Sequence, residues 1–417
     1  MKIYKFGGAS IRDAVNVRNV GQVLQAVGYT DCLIVVSAMG KTTNALEAVV
    51  ARYFSADSNI EEALETVKDY HFQIAYDLFP NSKPGLFTEL HQLFEKLANF
   101  LSVNKSPNYN FVYDQIVSYG ELLATVILHH YLESCGMPNV WTDARNLIKT
   151  DTTYRDAQVN WELTQAQIGS EIRANALHIT QGFIGSDDNG FSTTLGREGS
   201  DYSAAIFAYA LNAESVTIWK DVPGVLNADP RYFKETTLLE HISYQEAIEL
   251  AFYGASVIHP KTLQPLQQKE IPLFVKSFIN PLLEGTKVSK GVALKPQIPC
   301  YIVKKNQLLI SLSALDFSFI MEENISEIFK LLHQYNIKVN VIQNSAISFT
   351  VCVEDKFNHF EAMRTVLSKQ FKVSYNEAVS LYTIRHFESQ SADLVLQDKT
   401  LLLKQVNRET IQMVIKE

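Results

Sequence analysis

Residues 190–231 read GFSTTLGREGSDYSAAIFAYALNAESVTIWKDVPGVLNADPR and place two loops suited to a charged ligand on either side of one apolar helix. The first loop, 193–201, is rich in small residues that leave backbone N–H groups free, and a helix is predicted to begin at or just after Ser200-Asp201. Such a loop at a helix N-terminus can hold an anion. The helix, roughly Tyr202 to Leu211, is nearly all apolar and too short to cross a membrane, so we expect it to pack against a sheet.

A strand and a turn follow this helix. Ser215–Trp219 has the apolar, β-branched character of a buried strand, and the turn Lys220-Asp221-Val222-Pro223-Gly224 ends it before Asp229-Pro230-Arg231. Cations and carboxylates therefore gather beyond a strand end, which is where open α/β sheets bind their ligands.

Two further loops of the same kind lie near the N-terminus. A strand over Lys2–Phe6 runs into Gly7-Gly8-Ala9-Ser10, and Ser10-Ile11-Arg12-Asp13 matches a capping box that opens a helix. Lys5 would direct its ammonium toward whatever the glycines hold. The loop lacks the G-x-x-x-x-G-K-[ST] pattern, so an ordinary tight turn is the competing interpretation. A strand also runs into small and hydroxyl residues over 35–44, which makes three strand-to-helix loops rich in donors.

The composition argues against several classes of protein. The 37 basic and 45 acidic residues among 417 give a formal charge of −8, which offers no sign of nucleic-acid binding. The four cysteines lie far apart, so we predict neither a disulfide framework nor a metal held by protein side chains. The N-terminus lacks a signal-peptide pattern and no apolar run reaches the length of a membrane span. We therefore expect a soluble, cytoplasmic protein with no membrane partner.

Alternating strands and helices predict an α/β fold. Helical periodicity covers Ile60–Leu78, Leu86–Leu101 and Phe111–Leu132, and strands are predicted at Asn139–Thr142, His178–Ile184, Ser215–Trp219 and Ile271–Phe278. This pattern is typical of a mostly parallel sheet sandwiched by helices, with a helical insertion. The Pro- and Gly-containing passage 280–299 is the best linker, and it divides a first domain over 1–285 from a second over 297–417.

The second domain has a different order of elements. The predicted elements are a strand at Leu308–Leu315, a helix at Asn324–Tyr335, strands at Lys338–Ile342 and Ile347–Val353, a helix at Phe357–Lys369 and a strand at Val379–Arg385. This βαββαβ order is the ferredoxin-like topology. After His386 the chain leaves strand-like Thr400–Gln405 and Ile411–Ile415 but little room for two helices, so a second such unit would be truncated.

An ordered set of motifs resembles that of the aspartokinases, which have the amino acid kinase fold. The motifs are KFGGAS at 5–10, SAMGKTTNAL at 37–46, SYGELLAT at 118–125, TTLGREGSD at 193–201, KDVPGVLNADPR at 220–231 and YGASVIHPKTL at 253–263. The remainder resembles the ACT regulatory region of these enzymes. The resemblance implies transfer of a phosphoryl group from ATP to L-aspartate, giving 4-phospho-L-aspartate in the first step of lysine, threonine and methionine biosynthesis. Without a homoserine dehydrogenase domain, the enzyme would be monofunctional.

The resemblance also implies roles for individual residues. The charge on the transferring phosphoryl group would be offset by Lys5, with Asp201 organising that lysine, while Arg197 would bind a substrate carboxylate as a bidentate partner. Further substrate contacts would come from Thr43, Glu121 and Ser200, with Glu121 on the α-amino group, and the phosphate path would be lined by Gly7, Gly8, Ser10 and Ser37. The structural alternatives are a solvated Lys5, a surface Arg197–Glu198 pair, an exposed Glu121 and an N-cap role for Asp201.

The nucleotide side of the site follows from the same resemblance. The residues that match it are Lys220, Asp221, Gly224, Leu226, Arg231, Ser256 and Val257. A lysine is common in the family where Ser256 stands, and Lys220 could restore that lost cation. Mg²⁺ is expected through the nucleotide oxygens and not through a protein cage. A histidine before proline is more often structural, so His259 is left out of catalysis.

Regulation by an amino acid is a further implication. In regulated relatives, the segment that matches Val339, Asn340 and Ser345 binds a feedback amino acid, such as lysine or threonine, where ACT domains meet in a dimer. An aspartate is common where Asn340 stands, and the loss of its charge would weaken binding of an ammonium group. Asn340 could equally be an interface residue of a homodimer.

Three alternatives remain at this point. A different amino acid kinase, such as an acetylglutamate or glutamate kinase, would share the fold, although the helical insertion with SYGE at 118–121 argues against it. An ACT-based amino-acid sensor with an inactive kinase domain is favoured by Ser256 and the short tail. A purely structural assembly protein has the least support, because three donor-rich loops with cations would have no purpose in it.

Overall fold

The computed structural model describes residues 1–55, 59–81, 83–255, 258–316, 318–397 and 399–417. They cluster into two compact units. Unit 1 comprises Met1–Val225, Leu238–Ile248 and Val257–Lys295, and unit 2 comprises Leu226–Thr237, Glu249–Ser256 and Pro296–Glu417. Two short segments that precede residue 285 thus cluster with the C-terminal unit, which composition along the chain did not indicate.

Unit 1 is built on a mostly parallel sheet. Its strands are β1 (Lys2–Phe6), β2 (Cys32–Val36), β3 (Val140–Trp141), β4 (Leu177–Gln181), β5 (Ile184–Ser186), β6 (Ser192–Thr194), β7 (Ser215–Lys220), β8 (His241–Ser243), β9 (Leu273–Ser277) and β10 (Thr286–Ser289). The described strands form an eight-stranded sheet in the order β3-β4-β2-β1-β7-β9-β10-β8, and β5 pairs separately with β6. Only the β9–β10 pairing in this sheet is antiparallel. The predicted fold class is therefore confirmed.

Helices lie between these strands along the chain. They are α1 (Ala14–Val27), α2 (Thr42–Phe54), α3 (Ile60–Leu78), α4 (Pro84–Val103), α5 (Tyr109–Val117), α6 (Tyr119–Ser134), α7 (Ala144–Leu147), α8 (Trp161–Glu171), α9 (Gly199–Leu211), α10 (Tyr244–Tyr253) and α11 (Pro260–Gln268). The helix predicted over Phe111–Leu132 is divided into α5 and α6 at Ser118. Together these two are apolar and long enough to cross a membrane, contrary to the sequence prediction, but 89% of their most apolar window is buried inside the protein.

The central strand β1 presents its alternate side chains to two different layers. Tyr4 and Phe6 join a core with residues of α1 and α6. Lys5 points to the opposite face, where it reaches α9, the apolar helix predicted from the sequence. Because α9 is buried from Gly199 through Ala208, apart from Tyr202, the loop at its N-terminus is held by packed structure.

The start of α1 differs from the sequence prediction. Gly8–Ile11 forms a short 3₁₀ helix, and α1 begins at Ala14. Its N-cap is Asp13, whose carboxylate accepts a hydrogen bond from the backbone N–H of Asn16 at 2.8 Å. The predicted Ser10 capping box is therefore wrong, because the chain makes one more tight turn before the helix begins.

Unit 2 contains an antiparallel sheet with helices. Its main elements are β11 (Cys300–Ala314), α12 (Glu322–Gln334), β12 (Lys338–Asn344), β13 (Ser348–Glu354), α13 (Phe360–Leu367), β14 (Phe371–Arg385), α14 (Ser391–Leu396), β15 (Thr400–Val406) and β16 (Thr410–Lys416). The order of the described strands is β12-β13-β11-β14-β16-β15. The predicted βαββαβ order is confirmed, as part of an ACT-like region.

Strands β11 and β14 are longer than predicted because they serve two halves of this sheet. Residues Gln307–Ala314 of β11 pair with the first half of β14, whereas Cys300–Lys304 pair with its second half, and a register shift separates the two stretches. The second half of β14 also pairs with β16. The short C-terminal tail therefore adds strands to the second half of β14. The region formed in this way shares β11 and β14 with the ferredoxin-like half of the sheet.

Candidate active site

A cleft of about 350 Å³ opens in unit 1 at the carboxyl ends of β1, β2 and β7. It is lined by eight of the residues predicted for the site: Lys5, Gly8, Ser37, Thr43, Glu121, Ser200, Asp201 and Lys220. Six others complete the lining: Ala38, Gly40, Phe183, Gly196, Glu198 and Gly199. The three donor-rich loops of the sequence thus meet in one place, as ligand sites of open α/β sheets do.

Two ammonium groups share one buried carboxylate in this cleft. The Nζ of Lys5 lies 2.6 Å from Oδ1 of Asp201, and the Nζ of Lys220 lies 3.8 Å from its Oδ2. Burial by itself would raise the pKa of Asp201, but the two lysines outweigh burial and lower it. The cleft therefore places two cations beside an ionised Asp201, which suits an anionic ligand. Lys5 is buried, so its alternative as a solvated lysine is excluded.

Glu121 faces the cleft from the N-terminal turn of α6. Its Oε1 accepts a hydrogen bond from the backbone N–H of Ala38 at 3.2 Å, and its Oε2 is buried without a hydrogen-bond partner. Burial raises the pKa of Glu121 to about 8, although the Ala38 N–H and Lys5 act in the opposite direction. The alternative that Glu121 is an exposed helix residue is thus excluded. Once Glu121 is ionised, the unpaired oxygen is an acceptor for a cationic group of a ligand.

Neighbouring side chains hold the turn that carries Glu121. The hydroxyl of Thr125 donates to the Glu121 carbonyl at 2.9 Å, and it accepts from Nε2 of Gln181 at 2.7 Å and from Nε1 of Trp141 at 3.0 Å. A Cβ on Gly120 would lie 3.0 Å from the Cβ of Ala38, so glycine lets α6 approach the loop after β2. Thr125 and Gln181 were not identified from the sequence, because their partners are distant along the chain.

The loop before α9 is fixed by a buried carboxylate on α5. Asp114 accepts hydrogen bonds from the N–H and the hydroxyl of Thr194, both at 2.8 Å, and from the N–H of Arg155. Burial raises the pKa of Asp114 to about 6, and these hydrogen bonds oppose the increase. Asp114 positions the loop and does not line the cleft.

Glu198 adds a second carboxylate at the same rim. It has a left-handed backbone, with φ of 54°, and it precedes the first residue of α9. Burial and the nearby charge of Asp201 raise its pKa. Glu198 therefore adds an acidic group to the lining of the cleft.

Several residues predicted for the site lie outside the cleft lining. Arg197 and Asp221 are exposed, and the Ser10 hydroxyl donates to the carbonyl of Trp219 at 3.4 Å. A Cβ on Gly7 would stand 3.4 Å from Nζ of Lys5, whereas one on Gly224 would lie 2.5 Å from Oγ1 of Thr286. Gly7 therefore borders the site, and Gly224 allows a close approach to the first residue of β10. Their ligand roles stay predictions.

The remaining predicted residues belong to unit 2 or fall outside the described residues. Leu226 is partly buried, and Arg231 is exposed and forms a bidentate ion pair with Asp229. Ser256 and Val257 lie outside the described residues. Among the predicted regulatory residues, Asn340 accepts from Nζ of Lys304 at 2.8 Å and donates to Oε1 of Gln307 at 2.7 Å. Val339 and Ser345 stand on β12 and just beyond it.

The cleft supplies few ligands for a metal ion. Within the described ranges, three or more histidine, cysteine or acidic side chains converge only at His129, His130 and Glu133, outside the cleft lining. The carboxylate of Asp201 is occupied by two lysines. These observations fit an ion that would be held through nucleotide oxygens and water, as expected from the sequence.

The sheet and the cleft define a class of protein. A family model described as the amino acid kinase family matches residues 1–277, more than half of the chain. The chain therefore belongs to the amino acid kinase family.

Its relatives narrow this to the aspartokinases. Lysine-sensitive aspartokinase 3 of Escherichia coli is 34% identical over 362 residues, which span 84% of this chain and 78% of that protein. A solved structure of E. coli aspartokinase III with lysine and aspartate (T-state) has a TM-score of 0.81 at 28% identity, covering 99% of this chain and 95% of that chain. A second, with aspartate and ADP (R-state), has a TM-score of 0.81 at 26% identity, covering 100% and 96%.

Proposed function

We propose that this aspartokinase transfers the γ-phosphoryl group of ATP to the side-chain carboxylate of L-aspartate, giving ADP and 4-phospho-L-aspartate. The observation that carries the proposal is the pairing of Lys5 and Lys220 with Asp201 in a cleft that Glu121 also lines. A reaction between two anions needs cations at the reacting centre, and an amino acid needs an acceptor for its ammonium group. The cleft offers both.

The chemistry follows from these positions. The substrate carboxylate is already a nucleophile, so the protein has only to align it with the γ-phosphorus and to offset charge. Lys5 would stabilise the transferring phosphoryl group, and the backbone N–H of Ser200, in the first turn of α9, would support the same charge. Asp201 holds Lys5 in place. Mg²⁺ bound to the nucleotide oxygens would supply further charge neutralisation.

Substrate selection would depend on Glu121 and Arg197. Glu121 would accept hydrogen bonds from the α-ammonium of aspartate, and Arg197 would pair with a carboxylate, for which its planar guanidinium is suited. Thr43 and Ser200 would add hydroxyl contacts from the first turns of α2 and α9. Arg197 is exposed, so this role requires it to turn toward the bound substrate.

Regulation, assembly and location complete the proposal. Feedback by an amino acid such as lysine would act at the ACT-like sheet around Val339, Asn340 and Ser345, in a homodimer. The structure of the E. coli relative in complex with lysine supports lysine as the feedback amino acid. A biosynthetic role in lysine, threonine and methionine formation would place the enzyme in the cytoplasm.

Trapping of the acyl phosphate with hydroxylamine tests the proposed reaction. The protein is incubated with Mg²⁺-ATP and either L-aspartate or L-glutamate, and hydroxamate is measured. Turnover with aspartate alone supports the proposal. Turnover with glutamate would assign the chain to another amino acid kinase activity, and amino-acid binding without turnover would favour a sensor.

A further inference from the structure

Three potential ligand atoms converge on one side of α6, in the helical insertion. His129, His130 and Glu133 each offer one such atom, and these atoms all lie within 4.8 Å of one another. Oε2 of Glu133 lies 3.9 Å from Nε2 of His129 and 4.0 Å from Nδ1 of His130. These separations are too long for hydrogen bonds, and they exceed the roughly 3.3 Å between the ligand atoms of a tetrahedral ion with bonds of about 2 Å, so binding would draw the exposed Glu133 side chain toward the two rings.

The neighbours of His129 leave Nε2 of its ring as a hydrogen-bond acceptor. Nδ1 of His129 lies 2.7 Å from Oδ1 of Asn139, while the Nδ2 of Asn139 donates to the carbonyl of Met137 at 3.0 Å. The second contact orients the amide, so that its oxygen faces His129. Nδ1 therefore carries the proton, and the lone pair on Nε2 points into the cluster.

The neighbours of His130 have the same effect. Its Nε2 lies 3.1 Å from Oε1 of Glu89 on α4, and a carboxylate accepts a hydrogen bond, so Nε2 carries the proton. Nδ1 is then an acceptor. The side chain is only 9% exposed, and Nδ1 is buried without a hydrogen-bond partner. A buried hydrogen-bond acceptor without a partner is unusual, and a bound metal ion would supply the missing partner.

We propose that His129, His130 and Glu133 bind a divalent transition-metal ion, of which Zn²⁺ is the best match. Two neutral imidazoles and one carboxylate are a donor set that Zn²⁺ accepts, with water as a fourth ligand, whereas Mg²⁺ prefers oxygen ligands. Asn139 and Glu89 are the outer partners that hold the two rings in the metal-binding tautomer. The site is separate from the phosphoryl-transfer cleft.

One cation of the protein competes for this site. Nζ of Lys83 lies 3.7 Å from Oε2 of Glu133, and it also donates to the carbonyl of His130 at 2.9 Å. Because the lysine keeps that second acceptor, it can release Glu133 to an ion. Binding would link α6 to the start of α4 through Glu89, and so would stabilise the helical insertion.

Binding of Co²⁺ and Zn²⁺ to the full chain tests the site. Tag-free protein is treated with chelator and titrated with Co²⁺, whose visible absorption reports imidazole and carboxylate coordination, and Zn²⁺ is then added as a competitor. We expect one ion per chain and displacement by Zn²⁺ but not by excess Mg²⁺. His129→Ala and His130→Ala should each weaken binding at least about tenfold, and Asn139→Ala should weaken it about 10–100-fold.

Matched variants separate this site from adventitious binding. His333→Ala removes an exposed histidine from α12, and Cys135→Ser removes the exposed thiol next to α6; neither should change the affinity. Lys83→Met should strengthen binding by removing the competing cation. Equal affinity in the wild type and the His129→Ala/His130→Ala double variant would overturn the proposal, and so would loss of binding in Cys135→Ser. Circular dichroism confirms that each variant is folded.

Discussion

The ammonium of Lys5 and the carboxylate of Asp201 form a buried ion pair of 2.6 Å that joins the central strand β1 to the first turn of α9. Both side chains are at least nine-tenths buried, so each charge depends on the other for its solvation. The same pair presents one cation to the cleft, which links the stability of unit 1 to its proposed chemistry.

Replacing Lys5 should therefore impair both activity and stability. For Lys5→Met we expect kcat to fall by about 10²–10³-fold, the cost of removing one preorganised electrostatic contact. We also expect unfolding free energy to fall by about 3–5 kcal/mol, because Asp201 would be left as a buried charge without its main partner. Hydroxamate assays and urea denaturation measure the two effects.

The double variant Lys5→Met/Asp201→Asn serves as the control for this prediction. It removes the uncompensated charge, so much of the stability should return while activity stays low. Recovery of activity in the double variant would contradict a direct role for Lys5.

Aspartate binding should release a proton from Glu121. Burial raises its pKa to about 8, so the group is mostly protonated at neutral pH, and an ammonium ligand would favour the ionised form. Affinity for aspartate should thus increase as pH rises toward 8. Calorimetry in buffers with different ionisation enthalpies measures the released proton, and Glu121→Gln should abolish both the release and the pH dependence.

The same raised pKa has a consequence for stability. The folded state keeps a proton on Glu121 that the unfolded chain loses above 4.5, so this group's contribution to the unfolding free energy falls as pH rises from 4.5 to about 8. Glu121→Gln has no ionisable group at this position and so lacks this pH-dependent contribution to the unfolding free energy. Its Tm relative to wild type should therefore be higher at pH 8 than at pH 6, and an unchanged difference would contradict the burial of the carboxyl group.

A methyl group at Gly182 should disturb the start of α9. A Cβ there would lie 2.6 Å from the Cβ of Ser200 and 2.8 Å from its Cα. The backbone would have to shift, so we expect Gly182→Ala to cost about 1–3 kcal/mol of unfolding free energy and to lower kcat.

Gly169→Ala is the matched control. A Cβ at Gly169 meets no atom within 4 Å, and the residue lies inside α8. This variant should gain about 0.5–1 kcal/mol, because alanine has the higher helix propensity. Thermal unfolding compares the two, and equal effects would show that the contact with Ser200 does not constrain the site.

Restoring a charge at position 340 should increase sensitivity to a feedback amino acid. Asn340 already contacts Lys304 and Gln307, so Asn340→Asp keeps the Lys304 contact, loses the hydrogen bond donated to Gln307 and adds a charge. Because hydrogen bonds to charged groups are stronger than neutral ones by roughly 1 kcal/mol, inhibition should tighten about five- to tenfold.

Kinase assays over a range of L-lysine and L-threonine concentrations measure this effect. Asn358→Asp, at an exposed position on the same unit, provides the same change in net charge. Equal sensitivity in both variants would mean that Asn340 is an interface residue and not a ligand contact.

Most elements follow from local patterns in the sequence. Periodicity predicted α3 over Ile60–Leu78 with the bounds that it has, and the strand over Lys2–Phe6 likewise. Local sequence signals were weaker where the backbone can adopt more than one conformation. For this reason the capping box predicted at Ser10 was wrong, and the break between α5 and α6 at Ser118 was not predicted. The lengths of β11 and β14 depend on partners from both halves of one sheet, which no local pattern reports.

By itself, the sequence determined the alternating α/β order, the three donor-rich loops and the apolar helix that supports one of them, because these depend on neighbours along the chain. Only the tertiary structure decided that Asp201 would hold both Lys5 and Lys220, that Glu121 would be buried against the Ala38 N–H, and that His130 would face Glu133 with Glu89 behind it. The physical reason is that the charge, tautomer and orientation of a polar side chain depend on how deeply it is buried and on which distant residue it contacts. Tertiary packing alone fixes that burial and that partner.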